Sequence, residues 1–297
     1  MELKFEVVDV FARAPFEGNP LAIVQVPKGA NLDQQTKQKI AKEFNLSETV
    51  FIHDNDDGSN QWTVDIFTPF SELPFAGHPT IGSVCFLSEK NSITSGTLNI
   101  KAGPIPFTYG PNGGLASIAH DVHIHDKVLS PSDFEQAGFS PEIVKVIPER
   151  VPVVSIVKGM TFAQVKLQSL EELALVKCPR EDLSPRGLNA SYCPEGSLVG
   201  AYFYVEQPSE GEVKKLRTRM VISDFEDPAT GSAASALTSY LTLASGASGK
   251  TKFQLLQGVE MGRASYINIE TTAEPSKITV VELGGHSRKF SSGTLLA

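Results

Sequence analysis

The sequence predicts a strand-rich chain with a few helices, folded as two similar halves. Two observations carry this. Glu72-Leu73-Pro74-Phe75-Ala76-Gly77-His78-Pro79-Thr80 and Glu226-Asp227-Pro228-Ala229-Thr230-Gly231-Ser232-Ala233-Ala234 both read E-x-P-x-x-G, about half of the 297-residue chain apart. Each copy follows an apolar or β-branched run and precedes a helix-prone one, so a strand–turn–helix unit is duplicated. Helices opening at such turns present unpaired N–H groups and a partial positive charge. If the two N-termini face each other, they suit a carboxylate ligand.

Residues 5–11 (FEVVDVF) predict a strand, Gly18-Asn19-Pro20 a turn and 21–26 (LAIVQV) a second strand. Residues 33–44 carry helix formers over a thin apolar stripe, with Asn45 as the stop. Thr49–His53 and Trp62–Phe67 predict strands joined by a polar tip at Asp54–Asn60. A helix is expected over Thr80–Lys90, where Ile81, Val84, Cys85 and Ser88 share a face. Short strands with glycine turns follow over 97–125, among them the hairpin turn Gly110-Pro111-Asn112-Gly113-Gly114. Gly114 to Leu115 is a candidate crossing between domains.

Residues 126–151, rich in Pro and charge, predict a crossover. Strands are expected at 153–157, 162–167, 200–206 and 215–222, with a short helix at 170–176. Ser232–Leu243 is a helix whose Ala233, Ala234 and Ala236 make it slim enough to lie deep in a core. Strands at 265–270 and 277–283, with the last residues, close the sheet.

Composition narrows the function. The length predicts two domains. A net charge of −8 and a pI near 5.3 argue against general affinity for nucleic acid or anionic membranes. Glu2, Lys4 and Glu6 interrupt any signal-peptide pattern, and no apolar run reaches the roughly 20 residues that span a bilayer. The three cysteines, Cys85, Cys178 and Cys193, are irregularly spaced, which fits a reducing cytoplasm. With no P-loop and no G-x-G-x-x-G, no cofactor is expected.

Several residues are candidates for chemistry. Glu48, at a strand mouth beside Leu46, Val50 and Phe51, is either a solvated carboxylate or a general acid–base desolvated by those neighbours. His78 precedes Pro79, a residue favoured at the first helical position, which places His78 near the N-cap. A positive helix end disfavours imidazolium, so His78 is expected neutral, either as a buried structural residue or as a hydrogen-bonding group at a site. Asp227 is either an N-cap or turn aspartate or a site residue, beside Gly231 and Ser232, which offer N–H groups and a hydroxyl. His120, His123 and His125 with Asp121 and Asp126 suggest a metal, since Asp121, His123 and His125 would share a strand face. They lack a known ligand spacing, and an exposed polar face is the expectation. Lys214, Lys215, Arg217 and Arg219 are expected to form a solvated face.

Taken together, the motifs resemble the PhzF family of phenazine-biosynthesis-like proteins almost end to end. They are Val8-Asp9-Val10-Phe11, Pro15-Phe16-x-Gly18-Asn19-Pro20, Asn45-Leu46-Ser47-Glu48-Thr49, Phe67-Thr68-Pro69, the two E-x-P-x-x-G segments, Gln257-Gly258 and Met261-Gly262-Arg263. The resemblance implies an α+β, diaminopimelate-epimerase-like fold of two pseudo-symmetric domains, each a sheet wrapped around a central helix. It implies domains at 1–115 plus about 285–297 and at 116–284, central helices starting at Thr80 and Ser232, a site between their N-termini, and a homodimer. It further implies that Glu48 shuttles a proton, that His78 and Asp227 hold the substrate, and that Asn19, Gly77, Gly231 and Ser232 line its binding site. Related racemases use two thiols at the matched turns. This chain carries Ala76 and Thr230 there. The expected activity is a cofactor-free proton shift on a small carboxylated substrate, with no metal; the alternatives are a racemase or epimerase of the same fold, and a binding or scaffold protein that kept the cleft but lost turnover.

Overall fold

The computed structural model describes residues 1–55 and 58–297 and divides into two compact units, residues 1–117 with 283–297, and residues 118–282. The first unit opens with β1 (Glu2–Val10) and β2 (Asn19–Val26), paired antiparallel. Helix α1 (Gln34–Phe44) is capped by Asp33, whose carboxylate accepts the Thr36 N–H at 2.8 Å, and ends at Asn45 with φ 50°. Asn tolerates that left-handed conformation better than most residues. Strand β3 (Thr49–His53) lies parallel to β2 and antiparallel to β4 (Gln61–Phe67). Of the predicted tip between them, Asp56 and Asp57 lie outside the described residues. The short β5 (Glu72–Leu73) leads into α2 (Gly77–Asn91). Then β6 (Ser95–Ile100), β7 (Gly103–Gly110) and β8 (Gly113–Ser117) form an antiparallel meander.

The second unit begins with β9 (His123–Ile124) and two short helices, α3 (Pro131–Gln136) and α4 (Pro141–Val144). These helices occupy the predicted crossover, each with Pro at its first position. Next come β10 (Val153–Val157), β11 (Met160–Lys166), α5 (Leu170–Ala174), β12 (Val199–Glu210), β13 (Val213–Ile222) and β14 (Phe225–Asp227). Helix α6 (Gly231–Ala244), β15 (Gly249–Gln257) and β16 (Ser265–Glu274) follow. Strand β17 (Lys277–Gly285) ends within the residues that return to the first unit, and β18 (Ser287–Leu296) pairs antiparallel with β1.

The repeat seen in the sequence is a repeat of topology. In the first unit β2 and β3 are parallel, β4 turns back on β3, β5 turns back on β4, then α2 intervenes and β6 runs parallel to β4. In the second, β11 and β12 are parallel, β13 and β14 turn back in succession, then α6 intervenes and β15 runs parallel to β13. The motif glutamates take matching ion pairs. Glu72 meets Lys101 at 2.6 Å, and Glu226 takes the Arg219 guanidinium on both carboxylate oxygens at 2.8 and 2.7 Å.

Helix α2 is buried from Gly77 through Ser88, which explains its lack of a polar face. It starts at Gly77, three residues before the predicted Thr80. Pro79 does not shorten it, because N–H groups in a first helical turn have no partner within the helix. Gly82 lets it lie against the sheet, since a Cβ there would sit 2.5 Å from Leu21 and 2.8 Å from Val10. Two of its buried hydroxyls return to its own backbone, Thr80 to Ala76 and Ser83 to Pro79, both at 2.8 Å. Helix α6 repeats the device, with Ser235 bonded to Gly231 at 2.7 Å and Thr238 to Ala234 at 2.8 Å, and with Ala233, Ala234 and Ala236 fully buried.

Other expectations are corrected. Asn19 and Pro20 belong to β2, and the sharp turning before them falls on Phe16 (φ 72°) and Gly18 (φ 67°). Strand β15 has no counterpart among the predicted strands, because Lys250, Lys252 and Gln254 make its first residues polar. Gly114 and Leu115 sit within β8. Arg219 is buried rather than solvated.

Gly18 has φ +67°, and a Cβ there would lie 2.0 Å from the Val10 carbonyl oxygen. Gly29 has φ +75° with nothing near. Gly29→Ala is therefore expected to cost about 1 kcal/mol from backbone strain alone, and Gly18→Ala at least about 2 kcal/mol from strain plus clash. Denaturant unfolding of both variants checks this.

Candidate active site

Glu48 ends the connection from α1 to β3, where the chain straightens into a central strand. Its carboxyl is mostly buried, and Oε2 accepts no hydrogen bond among the described residues. Burial pushes its pKa above the usual carboxylate value, with a Ser47 hydrogen bond opposing in part. Facing it is His78, buried on the first turn of α2, with Nε2 3.4 Å from Glu48 Oε2. The N-cap is Ala76, so His78 is the second helical residue rather than a cap neighbour.

The buried Asn19 stands on the other side of the ring, its Nδ2 3.5 Å from His78 Nδ1 and its Oδ1 3.5 Å from the Ser47 hydroxyl. An amide nitrogen only donates. Nδ1 is then the acceptor in this contact. Gly77, the first residue of α2, is buried beside them and adds an N–H of the positive helix end.

The second unit holds a matching station. Asp227 closes β14, with Oδ2 accepting the Thr230 hydroxyl at 2.6 Å and Oδ1 the Ala229 N–H at 3.3 Å. Thr230 is the N-cap of α6, and Gly231 and Ser232 are its first two residues. Ala76, Gly77 and His78 on α2 thus correspond to Thr230, Gly231 and Ser232 on α6. Glu48, His78, Asn19 and Gly77 come together in the first unit, and Asp227, Gly231 and Ser232 in the second.

Two residues outside the predicted set are part of these stations. Ser47 touches both Asn19 and Glu48. Gln257 donates through Nε2 to the Asp227 carbonyl at 2.8 Å and to Thr230 Oγ1 at 3.1 Å. Their signal was adjacency within a motif, in Asn45–Thr49 and Gln257-Gly258, which does not say where a side chain points.

The remaining candidates lie elsewhere. His125 is buried, contrary to the expected exposed face, because Nε2 meets the Ser155 hydroxyl at 2.9 Å and Nδ1 accepts the Asn189 N–H at 3.0 Å. His123 stacks on Tyr192 at 4.1 Å, and the Tyr192 hydroxyl donates to Asp121 at 3.1 Å. His120 lies against the Ile118 carbonyl, with Nδ1 3.1 Å away. Among the described residues, no group of three or more His, Cys, Asp or Glu is placed to hold a metal. Cys85 is buried in α2, its thiol pushed up to about 11 by burial, while Cys178 is exposed and Cys193 buried. None stands at either N-cap.

Residues 8–293 match the family described as phenazine biosynthesis-like protein. Relatives include an uncharacterized isomerase of Mesorhizobium japonicum, 32% identical with 97% of this chain and 96% of the relative covered. Another is the trans-2,3-dihydro-3-hydroxyanthranilate isomerase of Pseudomonas fluorescens, 28% identical with 98% and 99% covered. A solved Bacillus anthracis structure of a PhzF-family phenazine biosynthesis protein matches with a TM-score of 0.80 at 20% identity, covering all of both chains. A hydroxyproline epimerase from Agrobacterium vitis matches with a TM-score of 0.61 at 12% identity, covering 99% of this chain and 92% of its own. The fold is accordingly α+β, of the kind these isomerases and epimerases share.

A carboxyl whose folded pKa is raised binds more protons in the native than in the unfolded state between the two values, so it costs stability as pH rises. The cost is absent below the unfolded value near 4.5 and complete above the folded one. Glu48→Gln is expected to melt higher than the parent at pH 8, with the gap closing toward pH 4. Melting both proteins across that range checks it.

Proposed function

Since the chain belongs to the phenazine biosynthesis-like family, whose relatives include named isomerases, we propose that it is a cofactor-independent isomerase acting by proton transfer on a small carboxylated metabolite. The observation that carries this reading is the buried Glu48 Oε2, which has no donor hydrogen-bonded to it among the described residues and lies 3.4 Å from His78 Nε2. A structural carboxylate in that setting would be expected to collect hydrogen bonds, because an unsatisfied buried acceptor costs about 1–3 kcal/mol. A carboxylate meant to meet a carbon-bound hydrogen gains from being left open.

In the proposed reaction Glu48 takes a proton from a substrate carbon, and the electron pair of that C–H bond moves into the adjoining unsaturated system. Glu48, now the acid, gives the proton to a second carbon, so no oxidant, reductant or co-reactant is consumed. The raised pKa of Glu48 makes it a stronger base toward the carbon-bound hydrogen. His78 and Asp227 orient the substrate, with Asn19, Gly77, Gly231 and Ser232 as binding groups, and the α2 and α6 N-termini attract its carboxylate. We place the protein in the cytoplasm as a homodimer, following the few, irregularly spaced cysteines and the resemblance. No described helix is long and apolar enough to cross a membrane.

A two-thiol racemase is the second reading from the same fold, and Ala76 and Thr230 at the N-caps count against it. A protein in which Cys85, Cys178 and Cys193 are all replaced by Ala is expected to stay folded and keep its turnover. Loss of turnover in the folded variant would restore the racemase reading.

The first compound to test is trans-2,3-dihydro-3-hydroxyanthranilate, named for the Pseudomonas relative, followed by other small unsaturated carboxylates. Turnover in deuterated water should place deuterium at the new C–H bond wherever Glu48 exchanges with solvent before returning its proton. Glu48→Gln should fold and bind but lose at least about 10²-fold in rate. A folded variant within about tenfold of the parent would remove Glu48 from the mechanism.

A further inference from the structure

Thr230 stands where the two-thiol enzymes of this fold would carry a cysteine, yet its side chain does not point a nucleophile at a ligand. It is tied into a chain of hydrogen bonds that starts in the core of the second unit. Tyr202 is fully buried between Thr218, whose Oγ1 lies 3.1 Å from its hydroxyl, and Gln257, whose Oε1 lies 3.0 Å away. Gln257 is equally buried, and its Nε2 reaches the Asp227 carbonyl at 2.8 Å and Thr230 Oγ1 at 3.1 Å. Thr230 Oγ1 reaches Asp227 Oδ2 at 2.6 Å.

The donors in this chain can be assigned by counting hydrogens. An amide oxygen only accepts, so Tyr202 gives its single hydroxyl proton to Gln257 Oε1, and Thr218 supplies the hydrogen in its contact with Tyr202. That fixes the amide with Nε2 toward Asp227 and Thr230, and its two hydrogens match its two acceptors. Thr230 Oγ1 receives one of them, which directs its own proton to the remaining partner, the Asp227 carboxylate. Each bond has one possible sense, and beyond Tyr202 they run outward through Gln257 and Thr230 to Asp227. Such a buried and fully satisfied chain holds its members more firmly than isolated bonds do.

The backbone reinforces it. Gly258, next to Gln257, has φ +73°, and a Cβ there would fall 2.7 Å from the Pro228 carbonyl oxygen and 2.6 Å from that of Arg263. The turn after Asp227 therefore rests directly on the residue following Gln257, which ties the position of the turn to that of the amide.

We propose that Thr230 and Gln257 are positioning residues that fix the direction of the Asp227 carboxylate through a one-way hydrogen-bond relay anchored on Tyr202. The proposal rests on the reading of Asp227 as a substrate-orienting group. It assigns the α6 N-cap a role different from that of the thiols at this position: it aims a neighbouring carboxylate and takes no proton from carbon.

The test compares the wild-type protein with Thr230→Val, which keeps the shape and removes the hydroxyl, Thr230→Ser, which restores it, and Gln257→Met, which keeps the length and removes both amide donors. Thermal melts first establish folding, and if Gln257→Met does not fold, the two Thr230 variants carry the test. Crystal structures should show the Asp227 carboxylate rotated or split between rotamers in Thr230→Val and Gln257→Met, and in its original place in Thr230→Ser. With trans-2,3-dihydro-3-hydroxyanthranilate as the probe, kcat/KM should fall about 10- to 100-fold in Thr230→Val and return to within about threefold in Thr230→Ser. An Asp227 carboxylate that stays in place in Thr230→Val overturns the relay. If wild-type protein does not turn over this probe, the choice of substrate fails and the crystal structures decide the relay alone. If Asp227→Asn is fully active while Thr230→Val still displaces the carboxylate, the relay stands and the role given to Asp227 fails.

Discussion

The site depends on placing the N-terminus of a helix deep in a sheet-rich core. A buried helix must be slim, and its first turn leaves N–H groups without partners in the helix. Both demands are visible in α2 and α6. Gly82 and the three α6 alanines allow close approach, and Thr80, Ser83, Ser235 and Thr238 hide their hydroxyls on carbonyls one turn back. The backbone N–H groups without a partner in the helix lie at its N-terminus. That is where His78 and Ser232 occupy equivalent second positions.

The two stations place different polar groups on the same scaffold. At α2 the N-cap is an alanine, and the polar groups gather around an open carboxyl, with Asn19 on one side of His78 and Glu48 on the other. At α6 the N-cap is a threonine, and the carboxylate of Asp227 is held by two donors. One carboxyl has an oxygen left without a hydrogen bond among the described residues, and the other accepts two. The motif glutamates Glu72 and Glu226 are each held by a basic residue, Lys101 and Arg219.

Much of the fold was legible because the features that fix it are local. The E-x-P-x-x-G repeat marked both strand–turn–helix joints, Asp33 and Asn45 bracketed α1 within a residue, and alternating β-branched residues marked most central strands. What escaped were features set by tertiary contact. The start of α2 at Gly77 depends on a proline tolerated where no N–H is needed. Strand β15 opens with polar residues on its exposed positions and is a strand because β13 and β16 flank it. The burial of His125 and Arg219 depends on partners far away in sequence, Asn189 and Leu173 among them. At the site, residue types and motif membership pointed to Glu48, His78 and Asp227. The inward aim of Gln257 and Ser47 had no signature in the sequence, since a glutamine ending a strand or a serine before a glutamate is an ordinary sight.

The pairing of β1 with β18, from Glu2 opposite Leu296 to Val10 opposite Ser287, sets an order on biosynthesis. A ribosome makes β1 first and its neighbour after almost all the intervening chain. The second unit is continuous and can settle as it emerges, but one edge of β1 must wait. Closing so long a loop delays completion more than it weakens the finished fold, because loop entropy grows only slowly with length. During that wait an open strand edge is available to other chains. The nascent first unit is therefore the part of this molecule that most needs a chaperone's cover.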